Sequence, residues 1–144
     1  MIGLVSCCGP KLSIPAPARY LYTSPLFVKS LAYAEARCDF VYVISAKHHL
    51  VELDQVLDPY DQVMAPRKRE RNRWGLHVAS SIEHRHGRDI ELMVLAGNKY
   101  VRPLIGAMAW WWGNGEFRQR IAQPLLQLYM GERLQWLNAQ LAAM

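Results

Sequence analysis

Three short and almost unbroken apolar runs, Ile2–Ser6, Phe40–Ser45 and Ile90–Ala96, constrain this chain more than any other feature. Each is shorter than an ordinary helix and lacks the polar alternation of a half-exposed strand. Each therefore predicts a strand covered by helices on both faces. Helix signals fill the intervals. Ser24-Pro25 joins a serine N-cap to a proline at the first helical position, predicting a helix to about Arg37 with Phe27, Leu31 and Ala34 on one face. Trp74, Val78 and Ile82, at spacing i, i+4, i+8, predict a second helix over much of Arg67–His86. A third follows Asn98, with Val101, Leu104, Ile105 and Met108 inward, and a last begins near Gly131, burying Leu134, Leu137 and Leu141. Leu12–Ala18, with Pro15 and Pro17, and Trp110–Gln123, with Gly113 and Gly115, predict irregular segments. The order β-α-β-α-β-α-loop-α predicts an α/β fold: a single three-layer domain over residues 1–144 with a mostly parallel central sheet.

A chain of 144 residues that is 51% hydrophobic can build its core without disulfides or metal. Its cysteines, Cys7, Cys8 and Cys38, are odd in number and two are adjacent, which suits a reducing compartment better than a disulfide framework. The first residues lack the basic leader and long apolar run of a signal peptide, and no apolar stretch approaches membrane-spanning length. These features predict a cytoplasmic protein with no membrane partner. The net charge of +5 is localised. Arg67, Lys68, Arg69, Arg71, Arg73, Arg85 and Arg88 face only Glu70 and Glu83, while the other charges cancel. Such a segment is either a solvated helix face or the electrostatic footprint of a polyanion.

In open α/β sheets, ligands bind beyond the carboxyl ends of the strands. After the first run come Ser6, Cys7, Cys8 and Lys11; after the second, Ser45, Lys47, His48 and His49; after the third, Gly97, Asn98, Lys99 and Tyr100. Tyr22-Thr23-Ser24 and Asp58-Pro59-Tyr60-Asp61 are expected to fold over the same end. Converging hydroxyls, lysines, an amide and carboxylates suit a small polar ligand or a nucleotide. Plainer roles stand beside these: Ser24 as a helix cap, Gly97-Asn98 as a turn, the lysines and histidines as solvated loop residues.

Cys7-Cys8 with His48-His49 invites a metal site, but adjacent pairs do not readily face one ion tetrahedrally, and no CxxC or HxxxH spacing is present. Neither a metal nor another cofactor is expected. A Cys7 nucleophile activated by His48 is the sharper alternative to a buried structural cysteine. There is no GxxxxGK[ST] and no GxSxG motif. Trp110-Trp111-Trp112 cannot all be buried in so small a domain. The tryptophans either stack on bases, cover a sheet edge, or contact a second copy or a host protein.

Five motifs in order resemble the YaaA-like family of bacterial and phage domains. They are Ser6-Cys7-Cys8-x-x-Lys11, Tyr22-Thr23-Ser24-Pro25-Leu26-Phe27, Ser45-Ala46-Lys47-His48-His49-Leu50-Val51, Asp58-Pro59-Tyr60-Asp61 and Leu95-Ala96-Gly97-Asn98-Lys99-Tyr100. The resemblance covers about Ile2 to Leu104. It implies DNA binding and a link to peroxide stress, and a more distant similarity to the archaeosine synthase domain points at nucleobases. Two positions depart from the family pattern: His49 stands where glycine is usual, and Cys8 where serine is usual. If that glycine serves a left-handed turn, His49 must accept strain.

The functional expectation is a nucleic-acid-associated enzyme acting on a nucleobase or nucleotide, at the glycosidic bond or the base, in the manner of an N-glycosidase. Lys47, His48, Asp58, Asp61 and Cys7 are its candidate catalytic residues. Ser6, Lys11, Tyr22, Thr23, Ser24, Ser45, Gly97, Asn98 and Tyr100 are its ligand-binding candidates. Arg67, Lys68, Arg69, Arg71 and Arg73 are the candidate phosphate contacts. The rival expectations are a non-catalytic DNA-binding protein, or a phage accessory protein that binds a host protein through the tryptophans.

Overall fold

A computed structural model describes residues 1–7, 9–113 and 120–144. A five-stranded, mostly parallel sheet forms its centre. Strand β1 (Ile2–Ser6) lies between β3 (Phe40–Ser45) and β6 (Leu92–Leu95), parallel to both. Strand β4 (His49–Glu52) turns back antiparallel on β3, and β7 (Ile121–Ala122) adds a parallel edge beside β6. The sheet is therefore mixed, with two edge strands that the apolar runs do not announce. Strand β6 is shorter than the Ile90–Ala96 run, because Ile90 is buried outside the ladder while Glu91 is exposed.

Alternation along the buried strands splits the core in two. Ile2, Leu4, Tyr42, Ile44, Leu92 and Val94 pack with Trp74, Val78 and Ile82 of α3 (Lys68–His86) and Val101, Leu104 and Met108 of α4 (Asn98–Trp111). Val5, Val43, Met93 and Leu95 pack the other way, against Phe27, Leu31 and Ala34 of α2 (Pro25–Arg37) and Leu137 of α5 (Met130–Ala142). Successive strand side chains point to opposite faces, so each core serves one face. Both stripes expected for α2 and α3 are buried, and Ser24 caps α2 by accepting from the Phe27 N–H at 3.1 Å. In α5 only Leu137 of its three expected leucines is fully buried, with Leu134 and Leu141 half-buried.

Two expected irregular segments carry structure. Within Leu12–Ala18, β2 (Ala16–Pro17) pairs antiparallel with β5 (Val56–Leu57) and runs into α1 (Ala18–Leu21). Pro17 is tolerated because this two-stranded ladder asks little of its missing N–H. At the other segment, α4 continues through Trp110 and Trp111, since nothing before Gly113 breaks it. The rest of the expected Trp110–Gln123 irregularity lies partly outside the described residues, as does Cys8. No helix among the described residues is long and apolar enough to cross a membrane.

Helices α3 and α4 touch closely. A methyl on Gly75 would collide with the Pro103 carbonyl and come within 3.2 Å of Ala107 Cβ. Gly75 thus fixes the depth at which one helix lies on the other, and with it the spacing of their first turns.

Candidate functional site

The carboxyl ends of β1 and β3 meet in a cluster of hydroxyls. Ser45, fully buried, accepts at Oγ from the backbone N–H of Lys47 (3.2 Å) and of His48 (3.1 Å). A hydroxyl oxygen has two lone pairs. Both are taken, so the Ser45 hydrogen goes to Tyr60 Oη at 2.7 Å. Tyr60 Oη is in turn 2.6 Å from Tyr22 Oη. The Cys7 thiol acts on both phenols and lies 3.7 Å from Tyr100 Oη. Burial, above all, pushes the Tyr22 and Tyr60 phenols well above their usual range, so both keep their protons at neutral pH. Among the described residues, no buried side-chain N or O lacks a partner.

Charge surrounds this neutral centre. Lys11 Nζ sits 4.6 Å from the Tyr60 ring centroid and 5.7 Å from that of Tyr22, and Lys47 Nζ sits 5.7 Å from Tyr60. These are cation–π distances, and neither ammonium has a carboxylate partner among the described residues. The His48 ring stands edge-on to Tyr60 at 5.1 Å. Burial, then the Lys47 charge, lowers the His48 pKa, which favours its neutral form.

Local structure explains the arrangement. Ala46–His48 is the three-residue loop of the β3–β4 hairpin. His49, the first residue of β4, follows it with φ 64°, a left-handed conformation where glycine has no steric cost. Its ring stacks on His77 at 3.9 Å. The Trp74 indole N–H donates to the Ser45 carbonyl at 2.8 Å, tying the loop to α3. The loop after β1 is pinned by the Lys11–Tyr22 bridge and by Thr23 N–H to the Pro10 carbonyl.

The other residues singled out from the sequence lie in separate places. Ser6 and Gly97 line a small cleft beneath Arg133. Thr23 donates to the Pro10 carbonyl at 3.2 Å and, with Tyr22, borders a shallow recess shared with Arg19 and Glu35. Asp58 and Asp61 are exposed. Asn98 and Lys99 open onto a groove of about 930 Å³ between the first turns of α3 and α4, walled by residues 63–66. Lys68, Arg71 and Asn72 line it from α3, and Arg102 from α4. Arg67, Arg69 and Arg73 do not line it. Arg71 is held by the carbonyls of Ala65 (3.3 Å) and Pro66. Among the described residues no group of three or more His, Cys, Asp or Glu side chains is arranged to hold a metal ion.

Sequence reasoning passed over three residues of this region. Tyr60 was seen only as part of a motif, although it is the hub of the hydroxyl cluster. Trp74 read as core, and its indole N–H gave no sign of a partner. Arg102 lies in a mostly apolar helix, and its place beside Lys99 in the groove is visible only once α4 lies beside α3.

A model of a family of unknown function, DUF6884, matches residues 2–139. The chain belongs to that family. No curated protein and no solved structure matches it. The DUF6884 match spans every element that builds the hydroxyl cluster and the groove.

Proposed function

We propose that this DUF6884 chain is a cytoplasmic enzyme acting on a nucleobase or nucleotide, and that its three-layer α/β body carries the reaction at the Ser45–Tyr60–Tyr22 cluster. The observation that carries the reading is the chemistry of that cluster. Neutral phenols and a serine are held in fixed proton order beside a thiol, with two ammonium groups above the Tyr60 ring. Neutral donors and acceptors match the carbonyl and ring-nitrogen edge of a base, and tyrosine rings match its face. The motifs that resemble the YaaA-like family support the same ligand class.

In this reading Tyr60 and Tyr22 hold and orient the base, and Lys11 and Lys47 hold negative charge on the ligand or charge that develops at the reacting bond. His48, kept neutral by burial and by the Lys47 charge, is the group placed to act as a general base. Cys7 is positioned by the phenols. The test is incubation of the purified protein with nucleosides, nucleotides and DNA, with products resolved by mass. A released base or a modified nucleotide that disappears in Tyr60→Phe supports the proposal. Absence of product from every substrate, together with tight DNA binding, would favour a non-catalytic binding protein instead.

A further inference from the structure

The groove between α3 and α4 has a composition of its own. Twelve residues line it. Four are cations, Lys68, Arg71, Lys99 and Arg102, two are amides, Asn72 and Asn98, and none is a carboxylate. Lys68, Lys99 and Arg102 form no ion pair among the described residues. Four arginines elsewhere are paired, Arg19 with Glu35 and Asp54, Arg85 with Glu52, Arg88 with Glu83 and Arg120 with Asp89, whereas Arg37, Arg67, Arg69, Arg73 and Arg133 form no ion pair among the described residues and do not line the groove. Unpaired cations collected in one concavity, with acids kept out of its lining, are a site for multiple negative charges. The cations come from two helices far apart in sequence, brought together by the Gly75–Pro103 contact.

The groove and the hydroxyl cluster are built from neighbouring stretches of the chain. Tyr100, which meets Cys7 and packs against Trp74 at 5.6 Å, follows Lys99 directly. Residues 63–66, which wall the groove, follow Tyr60 within a few positions. A ligand can therefore lie with phosphates among the cations and a base toward the phenols. We infer that the groove binds consecutive phosphates of a single nucleic-acid strand, so that the substrate is a nucleotide within a chain rather than a free one. This rests on the proposed function for the identity of the base site, but the groove's own ligand does not depend on turnover. The volume is near the top of the range of about 300–1,000 Å³ for small-ligand pockets. That suits a short stretch of strand.

The inference divides the basic segment in two. Lys68 and Arg71 touch the strand together with Lys99 and Arg102, while Arg67, Arg69 and Arg73 stay outside. The experiment titrates the full chain into a fluorescein-labelled 12-nucleotide single strand, the same sequence as a duplex, and a labelled mononucleotide, reading anisotropy over a salt series. Lys99→Ala/Arg102→Ala should weaken single-strand binding by about tenfold and flatten its salt slope by about 1.4, two phosphates at roughly 0.7 each. Arg67→Ala/Arg69→Ala/Arg73→Ala should change both by much less, and circular dichroism checks that each variant folds. Greater loss in the second variant than in the first would overturn the inference. So would mononucleotide or duplex binding as tight as that of the single strand. Failure to detect turnover, with these binding results intact, would remove only the proposed reaction.

Discussion

Ser45 hands its hydroxyl hydrogen to Tyr60 because two backbone N–H groups already fill its oxygen. The serine thus does two things at once: it closes the β3–β4 loop and fixes the proton order of the phenols. Ser45→Ala leaves two backbone donors and one phenol without their acceptor or donor in a buried place. A buried group stripped of its partner costs about 1–3 kcal/mol. Urea denaturation should show a loss in that range, and Tyr60→Phe, which strands fewer groups, a smaller one. A Ser45→Ala midpoint equal to that of the unsubstituted protein would show that the loop does not depend on this hydroxyl.

Gly75→Ala tests the helix crossing. The added methyl meets a backbone carbonyl, which yields less readily than a side chain end, so α3 and α4 must separate. Overpacking of this kind costs about 1–3 kcal/mol. The same separation widens the groove, so strand binding should weaken with stability. Gly106→Ala, in the interior of α4 where a methyl meets open space, is the control and should raise stability by about 0.5–1 kcal/mol, the helix preference of alanine over glycine.

His49 links loop strain to pH. Its left-handed backbone costs about 1 kcal/mol or more, and its stack on His77 returns a similar amount. His49→Gly should therefore leave stability near pH 7.5 almost unchanged. Burial, followed by the His77 and His48 charges, lowers the His49 pKa, and burial likewise lowers those of His48 and His86. A folded pKa below the unfolded value means that the unfolded chain binds more protons. Stability is then complete above about pH 6.5 and falls as the pH drops through that value toward the folded pKa values. The variant lacks one of these groups, so its melting temperature should exceed that of the parent below about pH 6. Parallel pH profiles for the two proteins would rule this account out.

What the sequence made legible follows from how local each signal is. The runs at β1, β3 and β6, and the cap at Ser24, are written in adjacent residues, so the centre of the sheet and α2 could be read. The residues after those runs could be listed for the same reason, and Cys7, Tyr22, Ser45, Lys47, His48 and Tyr100 do come together. The β4 hairpin was hidden because His49 occupies a place that usually announces itself with glycine. The β2–β5 ladder was hidden by prolines. Tyr60 becomes a hub only through contacts 15 and 38 residues away along the chain, and no local pattern encodes those. The groove is the same case. Its cations are contiguous neither in sequence nor on one helix, and the run from Arg67 to Arg73 contributes only two of them.

Lys47 offers the sharpest test of the proposed chemistry. Its side chain is exposed, so Lys47→Ala should leave the melting temperature close to that of the parent, within the half kcal/mol usual for surface positions. Its ammonium nevertheless sits over the Tyr60 ring on a loop fixed by Ser45 and Trp74. If it holds charge at the reacting ligand, Lys47→Ala should lower turnover by about a hundredfold, in line with removal of one electrostatic donor. Lys47→Arg separates the two ways a lysine acts. Arginine keeps the positive charge and the stack on the ring but cannot form a covalent imine. Recovery of most activity in Lys47→Arg would assign an electrostatic role, and no recovery, with the fold intact, a nucleophilic one. Full activity in a well-folded Lys47→Ala would clear this residue of any part in the reaction and leave Lys11, nearer to Tyr60 at 4.6 Å, as the ammonium to test.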